Sequence, residues 1–462
     1  MRSRIVGEVN IVGDKSISHR AIILSSLASG KSLLSNVLIS GDTKATINIF
    51  KNLGVEINEI SNNQLEIHGV GLNGLNESKE PLNALNSGTT ARLLIGLLSK
   101  QKFESDLIGS TQLNKRPMSR VIDPLVNEGA KISGNGGSLP IKIKPSDYSF
   151  ENIHSTKPSA QVKSSFLLAS LYHKAPTTIS EIVLTRDHTE RMLSLMGVNI
   201  VRLGNTSTVA PINEITSIDY LVPGDPSSAA FLIAIGLLKS KKVVIKNVLL
   251  NERRIGFLKV LKRMNADILL ENIENFQNEP VGDIVVKKSK LQGVTIDGSD
   301  VVDMVDEVPI FTLLASQAEG VTKVIGAQEL RYKESDRLAA MENFINKLEQ
   351  NSVAFFNSND IYPVSADSTL PFEQHRDIFY LSGIDQEESI LVLFPDSLNE
   401  NFKEILFIRE TNDHIVHWEG EKLTQSDDLK ISGIKNVHWL GEFDEILSKI
   451  LKEADHVYIN TN

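Results

Sequence analysis

The sequence predicts an α/β protein made of repeated α/β units in two related halves, followed by a separate C-terminal α/β domain. Three observations carry this. A phrase recurs at near-constant spacing, a second phrase opens both halves, and the composition breaks near 342–350.

The recurring phrase is "LGVEI" (53–57), "EGAKI" (128–132), "MGVNI" (196–200) and "MNADI" (264–268). Its second residue falls at 54, 129, 197 and 265, at intervals of 75, 68 and 68. Each copy follows a helical pattern ("TINIFKNLG", "VIDPLVNEG", "MLSLMG", "FLKVLKRMN") and leads into a β-branched strand. Gly or Asn there fits a left-handed helix C-cap that swings the chain straight into a strand. A fixed period of this kind marks a repeat architecture. "GDKSISHRAIIL" (13–24) and "GDPSSAAFLIAI" (224–235) share Gly-Asp-x-Ser before an apolar helix, so they open two duplicated halves. A fifth phrase is due near 335–345 and does not come; "ENFINKLEQNSVAFF" has the helix without it. Residues 344–462 hold 9 of 17 Phe and both Trp but 4 of 29 Gly, which places a domain boundary near 342–350.

A chain of 462 residues is long enough for two or three domains with large cores. Its net charge of −10 argues against general affinity for nucleic acid or acidic membranes, so any anion site must be local. There is no cysteine, which excludes disulfides, thiolate metal sites and cysteine nucleophiles. The first residues lack the apolar core of a signal peptide, and no apolar run approaches the roughly 18 residues of a membrane span. The expected location is the cytoplasm. Neither a Walker loop nor a G-x-G-x-x-G turn is present, so nucleotide binding has little support. Nothing in the sequence sets an oligomeric state.

"GDKSISHR" (13–20) puts Lys15 and Arg20 around two serines at a helix start. Unpaired amides and the helix dipole already make that end positive, so cations fit there when an anion arrives from outside. With Ser16 as N-cap, Ile17, Ala21, Leu24 and Ala28 form the buried stripe, Gly30 ends the helix, and Ser16 and Arg20 share another face. "LNSGTTARLL" (85–94) is a second helix entry, where Asn86 precedes a Gly88 that lets amides approach an anion. "GSTQLNKRPMSRVIDPL" (109–125) adds Lys115, Arg116 and Arg120 around Pro117, and "STKPSAQVKSSFLLASL" (155–171) presents Ser159 and Gln161. "LTRDHTERML" (184–193) carries Arg186, Asp187 and His188, the histidine fitting a structural role as readily as a functional one. "DMVDEVPIFTLLA" (303–315) sets Asp306 and Glu307 before a helix, for base work or for dipole complementation. "ELRYKESDRLAAM" (329–341) gathers Lys333, Glu334, Asp336 and Arg337, which also fits an ion-pair ladder. Each stretch alone suits a capped helix with surface charge. Their recurrence at element ends points to a multiply anionic ligand.

In this order, "GDKSISHR", "LNSGTTAR", "KRPMSR", "PSAQVKS", "TRDHTERM", "GDPSSAA", "DEVP" and "KESDR" resemble the 3-phosphoshikimate 1-carboxyvinyltransferases, or enolpyruvylshikimate-phosphate synthases, over residues 1 to about 341. The resemblance implies two domains of inside-out α/β repeats that close on shikimate 3-phosphate and phosphoenolpyruvate, with no metal and no organic cofactor. It divides the chain into domain I (1–12 and 221–345) and domain II (13–220). It puts Lys15 between the two substrates, in a catalytic role. Ser16, Arg20, Ser159, Gln161 and Arg186 would hold shikimate 3-phosphate, with Asp306 and Lys333 also against it. Asn86, Gly88, Arg116, Gln161 and Arg337 would hold phosphoenolpyruvate. Asp306 would be the base at the 5-hydroxyl, and Lys333 and Glu334 would move the proton at the enol methylene. The sister family that uses UDP-N-acetylglucosamine usually carries a loop cysteine, which this chain lacks.

The family pattern stops after "KESDR", so domain I is expected to be incomplete and activity impaired. "FNSNDIYPVSADSTLPFEQHRDIFYLSGIDQEESILVLFPD" (356–396) and the residues after it resemble the N-terminal domain of aminopeptidase P, without that family's metal-binding catalytic domain. His414 and His417 therefore read as ordinary strand or loop residues. Residues 346–462 are expected to form their own domain, with strands "SILVLFP", "EILFIRE" and "HVYIN" and a helix whose stripe is Phe443, Ile446, Leu447, Ile450 and Leu451. Two readings stand beside the shikimate synthase: the UDP-sugar transferase, and a fusion that binds shikimate phosphate without turnover.

Overall fold

The computed structural model describes residues 6–155, 157–332, 336–347, 351–358, 363–365, 368–369, 374, 378, 381–411 and 422–459. It divides into two compact units, Met1–Ala339 and Ala340–Asn462.

The first unit begins with β1 (Val6–Asn10), α1 (Lys15–Leu27), β2 (Ser29–Ser35), α2 (Gly41–Asn52), β3 (Glu56–Ser61) and β4 (Gln64–Val70). Next come β5 (Leu82–Asn83), α3 (Gly88–Leu98), β6 (Ser105–Ile108), α4 (Ser119–Asn127), β7 (Lys131–Asn135) and β8 (Ser138–Lys144). The same order returns in β9 (Asn152–Ser155), α5 (Ala160–Ser170), β10 (Thr177–Glu181), α6 (His188–Leu195), β11 (Ile200–Leu203) and β12 (Thr206–Val209). It returns again in β13 (Tyr220–Leu221), α7 (Pro226–Lys239), β14 (Lys242–Leu249), α8 (Gly256–Arg263), β15 (Ile268–Phe276) and β16 (Glu279–Val286). A fifth round starts with β17 (Thr295–Ile296), α9 (Gly298–Asp303), α10 (Val308–Ser316), β18 (Lys323–Val324) and α11 (Arg337–Lys347).

The four rounds give four four-stranded sheets, two of them with exchanged edge strands, and in each a short edge strand runs parallel to its neighbour while the other pairings are antiparallel. The sheets are β5-β6-β8-β7, β9-β10-β12-β11, β13-β2-β4-β3 and β1-β14-β16-β15. In the fifth round β17 and β18 form the parallel pair. The repeated phrase supplies the turn into each hairpin. Gly54, Gly129 and Gly197 have φ of +91°, +104° and +91°, and Asn265 has +62°. Each sits two residues past the end of α2, α4, α6 or α8.

The sheets lie outside and helices inside. In α1 every residue from Ile17 to Leu27 is buried, as is every residue of α5 from Val162 to Ser170. A helix buried on all faces must satisfy its own polar groups. The hydroxyls of Ser18, Ser26 and Ser164 do so by donating to the carbonyls of Asp14, Ile22 and Ala160, four residues earlier. On the outer sheets the pattern alternates: Leu139, Ile141 and Ile143 of β8 point inward, while Lys142 pairs with Asp106 at 3.5 Å outside.

Three sequence expectations for α1 are corrected. Asp14, not Ser16, is the N-cap, its carboxylate accepting the Ile17 amide at 2.8 Å. The helix ends at Leu27 with Ala28 as C-cap, and Gly30 already lies in β2. Arg20 is not on an open face but is 3 % exposed.

In the second unit, β19 (Ser352–Asn357) follows Asn351, whose φ of +56° repeats the turn geometry without the phrase. Then come β20 (Pro363–Ser365) and β21 (Ser368–Thr369), a short antiparallel pair. The rest is β22 (Ile390–Leu393), β23 (Glu404–Ile408), α12 (Gln425–Ser432), β24 (Val437–Trp439), α13 (Phe443–Ile450) and β25 (His456–Ile459). The sheet order is β24-β23-β22-β19-β25. Alternation splits the strands between two cores. Val353, Phe355, Val392, Ile405 and Phe407 pack with Ile446 and Ile450 of α13 on one face. Leu391, Leu406 and Ile408 pack with Ile378, Ile384 and Ile434 on the other. Leu451 is not part of the α13 stripe, being the C-cap and 46 % exposed. His414 and His417 lie outside the described residues.

The two Gly-Asp phrases meet side by side in the first unit. Gly13 and Gly224 form an antiparallel bridge, the Asp14 amide donates to the Pro223 carbonyl at 2.8 Å, and the Asp225 amide donates to the Val12 carbonyl at 2.9 Å. A Cβ on Gly13 would sit 1.9 Å from the Asn36 oxygen, whereas one on Gly7 would meet nothing within 4 Å. Gly13→Ala should therefore lower stability by about 3 kcal/mol or prevent folding, while Gly7→Ala in β1 stays within about 1 kcal/mol. Urea-unfolding midpoints of the two variants check this; equal midpoints would contradict the close packing.

Candidate active site

Three groups of sequence-picked residues are placed by helix starts. At the first, Arg20 is held from three sides. Its Nε donates to Thr189 Oγ1 at 2.7 Å, one terminal nitrogen to the Ser16 carbonyl at 2.9 Å, and the other to Ser164 Oγ at 2.8 Å. Burial lowers its pKa to about 10, against the opposing pull of the Glu190 carboxylate. Lys15, at the mouth of the same helix, reaches Asp42 at 3.2 Å and stays half-exposed. Ser159 caps α5 by accepting the Val162 amide at 3.4 Å.

The second group surrounds the start of α3. Ser87 is its N-cap, accepting the Thr90 amide at 3.2 Å. Gly88 follows, and a Cβ there would lie 2.8 Å from Arg92 and 3.0 Å from Arg116. Glycine is what lets two guanidinium groups close on this helix start. Gln161 accepts from Arg92 at 2.8 Å and donates to Thr89 at 2.9 Å, and Asn86 is held by the Ser110 hydroxyl. Arg92 was not singled out by sequence reasoning, although it stands in "GTTAR", four residues from Gly88.

The third group joins the two lobes. Asp306 pairs with Arg186 at 3.2 Å and with Arg337 at 3.5 Å, and its side chain keeps more than a third of its surface exposed. That arrangement leaves a carboxylate reachable from outside between two guanidinium groups. Lys333 and Glu334 lie outside the described residues. Among the described residues, no group of three His, Cys, Asp or Glu side chains could hold a metal ion.

The remaining letters of these motifs are structural. Asp14 and Asp225, the paired N-caps, both bind Arg254, at 2.9 and 2.8 Å, and Glu307 takes its other arm at 3.2 Å. Burial works to raise Asp14, but the Arg254 charge, nearby His188 and the hydrogen bonds from Ile17 and Arg254 together outweigh it and hold the carboxyl at about 2. Asp225, buried and facing the Asp14 charge, is pushed up to about 6. In "TRDHTERM", His188 Nδ1 donates to the Glu279 carboxylate at 2.7 Å, and Glu190 pairs with buried Lys163 at 2.8 Å. Asn251 bridges Asp187 and Glu279 at 2.7 and 3.2 Å. Sequence reasoning missed Arg254, Asn251 and Glu279; "NERR" (251–254) is a visible charge cluster, but nothing local shows that its last arginine turns inward.

The fold is that of an enolpyruvyl transferase: lobes of outward sheets and inward helices, with cations gathered at helix starts. A family model described as EPSP synthase (3-phosphoshikimate 1-carboxyvinyltransferase) matches residues 1–364, and one described as the aminopeptidase P N-terminal domain matches residues 339–458. The chain is 45 % identical over 381 residues to a 3-phosphoshikimate 1-carboxyvinyltransferase of Endomicrobium trichonymphae, covering 80 % of this chain and 88 % of that one. It is 46 % identical over 352 residues to the protein of the same name from Persephonella marina, covering 74 % and 81 %. A solved EPSP synthase from Acinetobacter baumannii superposes with a TM-score of 0.69 at 35 % identity, covering 77 % of this chain and 81 % of that one. The chain belongs to the EPSP synthase family and carries an aminopeptidase P N-terminal domain after it.

Asp187 gives a pH test of the lobe contacts. Burial works to raise its pKa, but hydrogen bonds from Arg191 and Asn251 outweigh it, so the folded value lies below the ordinary 3.8. A depressed carboxylate stabilises the fold fully above the unfolded pKa, and the effect is lost as pH falls through the folded value. Asp187→Asn should cost about 3 kcal/mol at pH 7, with the gap to wild type shrinking as pH falls below about 4. Urea midpoints measured from pH 7 to pH 3 check this; a gap independent of pH would contradict it.

Proposed function

We propose that the chain transfers the enolpyruvyl group of phosphoenolpyruvate to the 5-hydroxyl of shikimate 3-phosphate, releasing phosphate. The observation that carries this is the family match over residues 1–364. The reaction adds an alcohol across the double bond of an enol phosphate and then eliminates phosphate, leaving an enol ether. The 5-hydroxyl oxygen bonds to the central carbon while the methylene gains a proton; loss of phosphate and of a methyl proton restores the double bond. Such a path needs a placed base, a placed acid and charge around the leaving phosphate.

The residues fit these tasks. Asp306 is the base at the 5-hydroxyl, set between Arg186 and Arg337. Lys333 and Glu334 carry the methylene proton, and Lys15 stands between the substrates. Ser16, Arg20, Ser159, Gln161 and Arg186 take shikimate 3-phosphate. Asn86, Gly88, Arg116, Gln161 and Arg337 take phosphoenolpyruvate. The lobes are 1–12 with 221–345, and 13–220. Two facts support that division: β1 pairs with β14, and β13 pairs with β2. Residues 346–462 form the aminopeptidase P-like domain. Among the described residues no helix is long and apolar enough to cross a membrane, and we place the reaction in the cytoplasm.

The decisive experiment is phosphate release by the purified chain given phosphoenolpyruvate and either shikimate 3-phosphate or UDP-N-acetylglucosamine. Release with the first acceptor alone is expected. Release with the second alone assigns the sister reaction, and calorimetric binding of shikimate 3-phosphate without release assigns a binding protein. Arg20→Ala should weaken shikimate 3-phosphate binding by about 2–4 kcal/mol. Asp306→Asn should cut kcat about 100-fold or more with the shikimate 3-phosphate Kd little changed; loss of affinity at constant kcat would remove it from the base role.

Residues 340–462 expressed alone should give a folded monomeric fragment with a cooperative thermal transition and no aminopeptidase activity, since their strands pair only with one another among the described residues. An unfolded fragment would show that this sheet needs the first unit.

A further inference from the structure

Between the two helix starts runs a buried column of side chains that the proposed chemistry leaves unused. His19 is fully buried in α1, and its Nδ1 lies 2.8 Å from Thr46 Oγ1 of α2. Thr46 Oγ1 lies 2.7 Å from Thr90 Oγ1 of α3, and Thr90 Oγ1 donates to Ser87 Oγ at 2.7 Å. Thr46, Thr90 and Ser87 are all buried. The column ends on the N-cap of α3, next to Gly88. One turn further out, Lys15 and Asp42 make a parallel rung between α1 and α2.

The direction of the column follows from what is left over. His19 Nε2 is buried and has no hydrogen-bond partner among the described residues. If Nε2 carried the proton, a buried donor would be orphaned; if Nδ1 carries it, only a lone pair is. Orphaned buried N–H groups are the rarer and costlier case. The imidazole therefore donates from Nδ1 to Thr46, Thr46 to Thr90, and Thr90 to Ser87. Ser87 Oγ then accepts twice, from the Thr90 hydroxyl and the Thr90 amide. Burial and the Lys15 and Arg20 charges keep the ring neutral, with a pKa lowered to about 3.

We propose that His19 is a positioning residue for the phosphoenolpyruvate half of the site, fixing the start of α3 against α1 through Thr46, Thr90 and Ser87. This rests on the assignment of the α3 start to phosphoenolpyruvate. The shikimate 3-phosphate half does not depend on the column, because Arg20 is tied instead to Ser164 and Thr189 on α5 and α6. His19 thus acts on one substrate and spares the other. A residue that merely fills the core would weaken both.

Two measurements on the full chain test this. Nitrogen-15 NMR of histidine-labelled protein at pH 7 should show His19 as the neutral Nδ1–H tautomer. The Nε2–H tautomer or a charged ring would overturn the column's direction, whatever the ligands do. Calorimetry should then show that His19→Leu weakens phosphoenolpyruvate binding tenfold or more, with shikimate 3-phosphate affinity within twofold. His19→Asn, which keeps an N–H donor near the Nδ1 position, should recover most of the loss. Unchanged phosphoenolpyruvate affinity in His19→Leu, equal loss for both ligands, or no recovery in His19→Asn would each overturn the proposal. Wild-type protein that binds shikimate 3-phosphate but not phosphoenolpyruvate, with the expected tautomer, would instead overturn the assignment of the α3 start.

Discussion

Everything in the first unit hangs on one buried arginine. Arg254, 3 % exposed, binds Asp14, Asp225 and Glu307 together. Asp14 and Asp225 are the N-caps of α1 and α7, so one guanidinium fastens the first turns of both duplicated helices. The strand-like segments that lead into those helices lie antiparallel, joined at Gly13 and Gly224. A single cation faces three carboxylates, and burial first, then the neighbouring Asp14 charge, raise the pKa of Asp225 despite it. Such a group is poor evidence of net stability, yet breaking it is costly: without the arginine, three buried acids would lose their partner.

From that fastening point the motif residues divide by direction. "TRDHTERM" sends Arg186 toward Asp306 and turns Asp187, His188 and Glu190 into the interior, where they meet Asn251, Glu279 and Lys163. "DEVP" does the same, with Asp306 reachable and Glu307 locked on Arg254. Adjacent letters of one motif thus serve the site and the frame that aims it.

The repeat was legible because its punctuation is stereochemical. A left-handed residue after a helix demands Gly or Asn, and residues 54, 129, 197 and 265 carry positive φ. The helix starts bearing Lys15, Gly88 and Ser159 were also legible, because cations and small residues at an N-terminus are unusual without an anion. The cap assignment on α1 failed since Asp14 and Ser16 both precede an apolar run, and only tertiary pairing with Arg254 selects Asp14. The face assigned to Arg20 failed for a related reason. Helical periodicity presumes one wet side, and α1 has none. Partnerships such as Arg254 with Asp14 span 240 residues, and no local pattern encodes them. In the second unit, strand alternation sorted the two faces well, while the last turn of α13 was overextended by one residue at Leu451.

The exchanged edge strands also set a timetable for synthesis. β1 leaves the ribosome first, yet its partner β14 begins at Lys242. β2 lacks its edge until Tyr220 and Leu221 arrive. At about 5–20 residues per second, β1 waits roughly ten to fifty seconds for its sheet. During that interval the emerging chain carries an unpaired strand edge, the kind of surface that recruits wrong partners. The middle sheets, β5-β6-β8-β7 and β9-β10-β12-β11, draw all their strands from consecutive sequence and can close as they emerge. The first unit therefore assembles from its middle sheets outward, and β1 finds its place only after both of them have closed.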